Sequence, residues 1–235
     1  MLFRRSTWLN ALCQRLQTGL PSFAPPPKPA RRRRLSQRLG VVATVERRMQ
    51  LSSVSVVAGQ LSITLAGSES VQITASNGNL SVIVDGQEQA TQIAAASVTQ
   101  LVIQGGDGRN SINLMSVSAA QFPNLAAITI NGGAGADQIL GSPLPESIVG
   151  GDGNDWIYAG PGSDLLVGGT GNDTLLGGAN ADTLQGDDGN DTLRGQSGPD
   201  SLTGGAGTDT LIGSNTDTFN ATDLSDNLLT ESGDP

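Results

Sequence analysis

Nine carboxylates recur along this chain at a spacing of nine residues: Asp137, Glu146, Asp155, Asp164, Asp173, Asp182, Asp191, Asp200 and Asp209. Two residues after each comes an aliphatic side chain: Ile139, Ile148, Ile157, Leu166, Leu175, Leu184, Leu193, Leu202 and Leu211. Ahead of most lies a glycine-rich turn, as in Gly150-Gly151-Asp152-Gly153-Asn154-Asp155. Carboxylates set beside flexible, carbonyl-bearing turns make an all-oxygen donor set for a hard cation. That set suits calcium rather than zinc or copper. From Gly132 to Ile212 the chain is nine blocks without insertion, with the acid sixth and the aliphatic eighth in every block.

A period this strict signals a solenoid. Glycine at positions one, two and four supplies the left-handed dihedrals and close backbone approach of a tight turn. Asn180 takes position four in one block, and Asn is the next best residue for that conformation. The last three positions alternate outward, inward, outward, as a three-residue strand does. The eighth residue is then each block's contribution to the core. Two blocks make one 18-residue coil with a turn on either side, so at roughly 4.8 Å per coil the array is a rod about 22 Å long. Asp137, Asp155, Asp173, Asp191 and Asp209 stack along one edge; Glu146, Asp164, Asp182 and Asp200 stack along the other. Bare carboxylates at that spacing repel, and a divalent cation between successive turns reverses the sign. A disordered Gly/Asp-rich linker shares this composition but does not account for nine in-phase aliphatics.

The blocks resemble the repeats-in-toxin family, also called haemolysin-type calcium-binding repeats, with consensus GGxGxDxUx. The resemblance covers about a third of the chain. It implies an all-β fold, a parallel β-roll or calcium-binding β-solenoid, with Ca2+ between successive turns and folding coupled to calcium outside the cell. Carried over block by block, the metal ligands are Asp137, Asp155, Asp164, Asp173, Asp182, Asp191, Asp200 and Asp209, together with turn carbonyls. The turn positions are Gly133, Gly135, Gly151, Gly153, Gly160, Gly162, Gly169, Gly171, Gly178, Gly189, Gly198, Gly205 and Gly207. The second block departs from the pattern: Ser142, Leu144 and Glu146 replace consensus residues, and Pro143 and Pro145 stiffen its turn. Asp187 and Gln196 replace the second glycine of blocks seven and eight, a change expected to weaken those turns.

The chain opens quite differently. Residues 1–50 hold 11 Arg/Lys against one Glu, whereas residues 51–235 hold two Arg against 21 acids. Such asymmetry marks a tail or targeting segment, so residues 1–50 are expected to be a disordered or targeting basic leader. Trp8, Leu9, Leu12 and Leu16 have helix-like spacing before a proline-rich stretch. An apolar region of signal-peptide length is not readable there. A basic run such as Arg31–Arg34 can touch a membrane surface or hold nucleic acid, but the acidic remainder argues against nucleic acid. Residues 45–52 (Val45-Glu46-Arg47-Arg48-Met49-Gln50-Leu51-Ser52) resemble a short export tag, LE-x-R-x-LLS. That tag follows Arg-rich starts in large surface proteins of planctomycete-like bacteria. Val45 and Gln50 depart from it, and a chance match within an Arg-rich linker is the competing reading.

Residues 51–131 alternate aliphatic and polar side chains, with expected strands at Val54–Val57, Leu61–Leu65, Val71–Thr74, Leu80–Val84, Val98–Ile103 and Ala127–Ile130. Asn77-Gly78 and Asp85-Gly86 are turn signals. Gly105 to Asn113 is itself a nonapeptide with Asn110 in the acid's place, three whole periods before Gly132. This section is expected either to continue into the solenoid and cap it or to form a separate β-sandwich. The repeat array spans residues 132–212. Beyond it, residues 213–235 form an acidic tail or cap with Phe219, Leu224, Leu228 and Leu229 as apolar residues.

Composition excludes several function classes. The chain has no histidine, which removes HExxH zinc proteases and Ser-His-Asp hydrolases together. Asp85, Glu88, Glu69 and Asp107 are the candidate acids of residues 51–131, and they sit at turns where solvated carboxylates are ordinary. No catalysis is expected. The single cysteine, Cys13, allows no intrachain disulfide. No apolar run approaches the roughly 20 residues of a spanning helix. Calcium modules of extracellular type bind at roughly 10⁻⁴–10⁻³ M, which favours an extracellular or cell-surface location. Trp156 and Tyr158 flank Ile157 and point outward, an aromatic pair suited to stacking on a sugar of a surface polysaccharide or else covered by the N-terminal section. Thr174, Thr192 and Thr210 stack on one face, a pattern also met in ice-binding solenoids. The expected function is a calcium-binding structural or adhesive repeat protein. The alternatives are a calcium-dependent carbohydrate- or ice-binding module and the calcium-binding portion of a secreted hydrolase.

Overall fold

Short strands separated by glycine turns stack into two facing sheets, and the alternation of side chains along each strand decides what lies between them. The computed structural model describes residues 52–220 and 226–230; the leader and the export-tag resemblance fall almost wholly outside them. The N-terminal section contributes β1 (Ser53–Val57), β2 (Gln60–Thr64), β3 (Ser70–Ser76), β4 (Asn79–Val84), β5 (Gln87–Ala94), β6 (Gln100–Gln104), β7 (Ser111–Asn113) and β8 (Ala127–Ala134). The repeats contribute β9 (Gln138–Leu140), β10 (Glu146–Asp152), β11 (Trp156–Pro161), β12 (Leu165–Thr170) and β13 (Thr174–Ala179). They continue through β14 (Thr183–Asp188), β15 (Thr192–Ser197), β16 (Ser201–Ala206) and β17 (Thr210–Gly213), and β18 (Thr218–Asn220) and β19 (Asn227–Thr230) follow. Among the described residues the only helical element is a 3-10 turn at Ala95–Ser97, and no helix is long and apolar enough to cross a membrane.

One sheet runs β1-β2-β6-β8-β10-β12-β14-β16-β18, and the other runs β19-β17-β15-β13-β11-β9-β7-β3-β4-β5. Successive blocks alternate between the sheets. Pairing within the repeats is parallel and in register at a step of two blocks, Ile148 opposite Leu166 and Leu166 opposite Leu184 in one sheet, Ile157 opposite Leu175 in the other. This is a parallel β-solenoid. All nine eighth-position side chains, Ile139 to Leu211, are 0% exposed, so they form one apolar column between the sheets. Each supplies roughly 1.5–3 kcal/mol of burial.

The N-terminal section is continuous with the solenoid, since β2, β6 and β8 lie in the same sheet as β10. Its own hairpins β1–β2, β3–β4 and β4–β5 are antiparallel. Asn77-Gly78 (φ 54 and 79) and Asp85-Gly86 (φ 49 and 72) make the two turns their sequences signal. The turn at Ala58-Gly59 is a third of the same kind. Ile112 pairs with Ile139 and Leu101 with Ile128, each 27 residues on. The nonapeptide at Gly105 is therefore in phase with the array. The surplus residues form a loop that buries Leu114, Val117 and Phe122 in the core.

At the other end the ladder runs past Ile212. Phe219 of β18 pairs with Leu202, and Leu228 of β19 pairs with Leu211, each 17 residues on rather than 18.

Candidate metal centre

Each repeat turn must reverse the chain within a few residues, and neighbouring turns must stack closely enough for the strands to pair. Both demands fall on glycine. A Cβ at Gly153 would collide with the carbonyl oxygen of Gly135, and one at Gly169 with that of Gly151. Carbonyls at positions two and four thus point along the stacking axis into the next coil. Gly133, Gly135, Gly151, Gly153, Gly160, Gly169, Gly171, Gly178, Gly189, Gly198, Gly205 and Gly207 all have left-handed dihedrals. Gly162 differs. It carries no positive φ, and the space beside its Cα is filled by the Asp164 carboxylate. Asn180, Asp187 and Gln196 keep the left-handed turn without glycine, at φ 82, 71 and 73, so the two position-two departures preserve the shape of their turns at some strain.

The sixth-position acids are brought together in two columns. Asp137, Asp155, Asp164, Asp173, Asp182 and Asp191 are each no more than 3% exposed. Every one uses its carboxylate in the same way. Oδ1 of Asp155 accepts the N–H of Asp137 at 2.7 Å, Oδ1 of Asp173 accepts that of Asp155 at 2.7 Å, and Oδ1 of Asp191 accepts that of Asp173 at 2.8 Å. On the second edge Asp164 holds the N–H of Glu146 at 2.8 Å and Asp182 holds that of Asp164 at 2.9 Å. The series closes on Asp217 and Asp226, which accept the N–H of Asp200 and Asp209. The sequence reading placed both of these in an acidic tail or cap outside the array, because a missing residue moves them off the nine-residue period.

The second oxygen of these carboxylates is different. Oδ2 of Asp137, Asp155, Asp164, Asp173, Asp182 and Asp191 is buried with no hydrogen-bond partner. In all but Asp164, whose block opens on Ala159 and whose carboxylate lies against Gly162, it lies against the first glycine of its own block, close to a carbonyl of the next coil. A Cβ on Gly132 would stand 2.5 Å from both Asp137 Oδ2 and the Gly150 carbonyl oxygen, and one on Gly177 would stand 2.5 Å from Asp182 Oδ2 and 2.9 Å from the Gly195 oxygen. Two acceptors therefore share each of these spaces, which is unfavourable unless a positive charge joins them.

Burial raises the carboxyl groups accordingly. Asp173 and Asp182 are pushed up to about 7, and Asp155, Asp164 and Asp191 to about 6. The amide each accepts works in the opposite direction, and neighbouring acids such as Asp187 beside Asp173 add to the rise. Asp137 is raised by burial against hydrogen bonds from Asn110 and the charge of Arg109.

Glu146 stands apart, as its block's departures suggest. Both its oxygens accept the N–H of Ser142 at 3.0 Å, and burial pushes it up to about 8. Its longer side chain folds back on its own turn.

Among the described residues no three His, Cys, Asp or Glu side chains converge as a metal cluster. The buried acids come singly, one to a turn, so a cation held here must draw most of its ligands from backbone carbonyls. Hard oxygen donors on flexible turns fit calcium. One series was missed in the sequence. Asn154 Oδ1 accepts the N–H of Asn172, Asn172 that of Asn190, and Asn190 that of Thr208, all at 2.8 Å. The signal was there, an Asn-Asp pair recurring every 18 residues on the first edge alone.

Comparison with protein families finds the RTX calcium-binding nonapeptide repeat in four copies, at residues 129–143, 145–175, 158–193 and 185–219. Residues 129–219 are an RTX repeat array. The matched span begins within β8 and ends on Phe219 of β18, so it takes in the Asp217 turn beyond the regular period. No curated protein and no solved structure matches the chain. The matched span takes in both columns of buried acids, Asp137 to Asp209, which fits a calcium-binding repeat protein.

Proposed function

We propose that the protein is an exported, non-catalytic structural or adhesive element whose RTX coils assemble when calcium is bound. One observation carries the reading: buried Oδ2 atoms of five acids, Asp137, Asp155, Asp173, Asp182 and Asp191, face backbone carbonyls with no donor between them. A divalent cation at each such place turns a repulsive contact into ligation. The cations would be held by Asp137, Asp155, Asp173, Asp182 and Asp191 with the position-one carbonyls of adjoining coils, Gly150, Gly168, Gly186, Gly195 and Gly204. Bound calcium then supplies free energy that the thin core lacks. Without it, like charges one strand spacing apart oppose each other by about 3–4 kcal/mol per pair at an effective dielectric of about 20.

Export is supported by affinity. Modules of this extracellular type bind at roughly 10⁻⁴–10⁻³ M, well above cytosolic calcium. RTX repeat proteins are typically secreted, and the turns would stay unloaded until the chain left the cell. The test is a calcium titration of the full chain at neutral pH, followed by circular dichroism and by native mass spectrometry to count ions. Gain of β signal together with several bound ions supports the reading. An unchanged spectrum with no ions bound refutes it.

A second reading, a calcium-dependent carbohydrate-binding module, is favoured by one feature. Trp156 and Tyr158 are half-buried on the outer face of β11, between Gln138 and Leu140 on one side and Thr174 and Leu176 on the other. A glycan array probed with and without calcium separates the two readings.

A further inference from the structure

The first-edge column does not begin with an acid. Asn110 stands where the coil below Asp137 would carry its carboxylate, and its N–H donates to Asp137 Oδ1 at 2.6 Å. It is 1% exposed, and its side chain is fully used. Oδ1 accepts the N–H of Glu69 at 3.2 Å, and Nδ2 donates to the Gly108 oxygen at 2.7 Å and to the Gly132 oxygen at 3.1 Å. The last of these bonds is the informative one. Gly105 is the first glycine of that block, and a Cβ on it would meet Asn110 Nδ2 and the Gly132 oxygen. One coil up, the same place beside Gly132 holds Asp137 Oδ2 and the Gly150 oxygen. A donor facing an acceptor has replaced two acceptors facing each other.

One further feature agrees. Among the described residues of 52–131, Asn110 is the only buried polar side chain, and the rest of that interior is aliphatic apart from Phe122.

We propose that the Asn110 amide is a built-in substitute for a bound cation, so that residues 52–131 fold without calcium and template the calcium-dependent coils. The inference rests on the reading that calcium orders those coils. Its physical content is that the amide brings its own protons to the Gly132 carbonyl, where a carboxylate needs an external charge. The section below Asn110 then has no cation requirement, and its β-edge is ready when the first acid-bearing coil is wound on.

The test is hydrogen exchange of the full chain at neutral pH, with calcium and with chelator. The expected result is that amides of β2, β3, β4 and β6 exchange equally slowly in both, while those of β12 to β17 speed up by at least about tenfold in chelator. Simultaneous loss of protection in both regions overturns the template and leaves calcium-ordered coils standing. Full protection of the coils in chelator overturns both. A second arm uses Asn110→Asp, which sets an acceptor against the Gly132 carbonyl. It is expected to raise the ion count in native mass spectra and to make protection of β6 and β7 depend on calcium. An unchanged ion count with β6 and β7 still protected in chelator overturns the role given to Asn110.

Discussion

An aspartate that spends one oxygen on a neighbouring amide and holds the other against a carbonyl has a divided role, structural through Oδ1 and, in the function proposed above, ligating through Oδ2. Asp173→Ala removes both at once. It is expected to lower the number of calcium ions in native mass spectra, whereas Glu146→Ala, whose oxygens are already occupied by Ser142, leaves the count unchanged. Proton binding gives a second outcome. The unfolded chain titrates its aspartates near 3.8, while the folded, metal-free coils hold Asp173 and Asp182 up to about 7 and Asp155, Asp164 and Asp191 to about 6. The folded form therefore binds more protons than the unfolded one. This contribution is fully present below about pH 4 and is lost as pH rises through 6 to 7. In chelator, the β signal of the coils should be strongest in acid and fade towards neutrality. With calcium present the order reverses, because protons compete for the ligands, so apparent affinity should fall as pH drops below about 6. Gly168 gives a steric counterpart. A Cβ there would lie against Asp173 Oδ2 and 2.7 Å from the Gly186 oxygen, so Gly168→Ala should destabilise the calcium-loaded coils by about 1–3 kcal/mol in denaturant unfolding.

At the scale of the strand, one aliphatic side chain serves each block, and only Ala159 and the half-buried Leu144 add a second to theirs. Leu175 is 0% exposed between Ile157 and Leu193. Leu175→Ala should cost about 2–5 kcal/mol in the calcium-loaded state, measured by urea unfolding. These positions were legible from the sequence because burial and period coincide: every second strand residue points inward, and the coil length is twice the block. Asn77-Gly78 and Asp85-Gly86 were legible for the same local reason, their dihedrals being set by residue type. What stayed hidden has physical causes too. β5 reads Gln87-Glu88-Gln89 at its start, an edge strand with little apolar alternation, so the ladder that forms it comes from its neighbour β4 rather than from its own side chains. β18 and β19 were hidden because a shortened turn puts Asp217 and Asp226 17 residues after their partners, which breaks a periodic reading but not the hydrogen bond. The asparagine series at Asn154, Asn172 and Asn190 escaped because it occupies only one edge. Gly162 was misjudged in detail, since the Asp164 carboxylate fills the space that a left-handed turn would otherwise define.

At the scale of the whole molecule, the amide-to-carboxylate bonds along the two aspartate columns run one way, each coil supplying the acceptor for the one before it. Ending the chain after Gly213 would leave the amides of Asp200 and Asp209 without the acceptors that Asp217 and Asp226 provide. Such a truncation should raise the calcium concentration at the midpoint of the circular dichroism titration. The asymmetry of the two edges reaches further, into how such an array can lengthen or shorten over generations. Removing residues 168–185 deletes one full coil and rejoins a second-edge turn to a first-edge turn, so the asparagine stack closes up with one rung fewer. Removing only residues 177–185 sends every later segment to the opposite side of the molecule and leaves Asn190 facing partners that cannot answer it. Duplication and loss in this protein are thus expected to proceed in pairs of blocks. The heritable unit is the double repeat, even though the written motif is the single one.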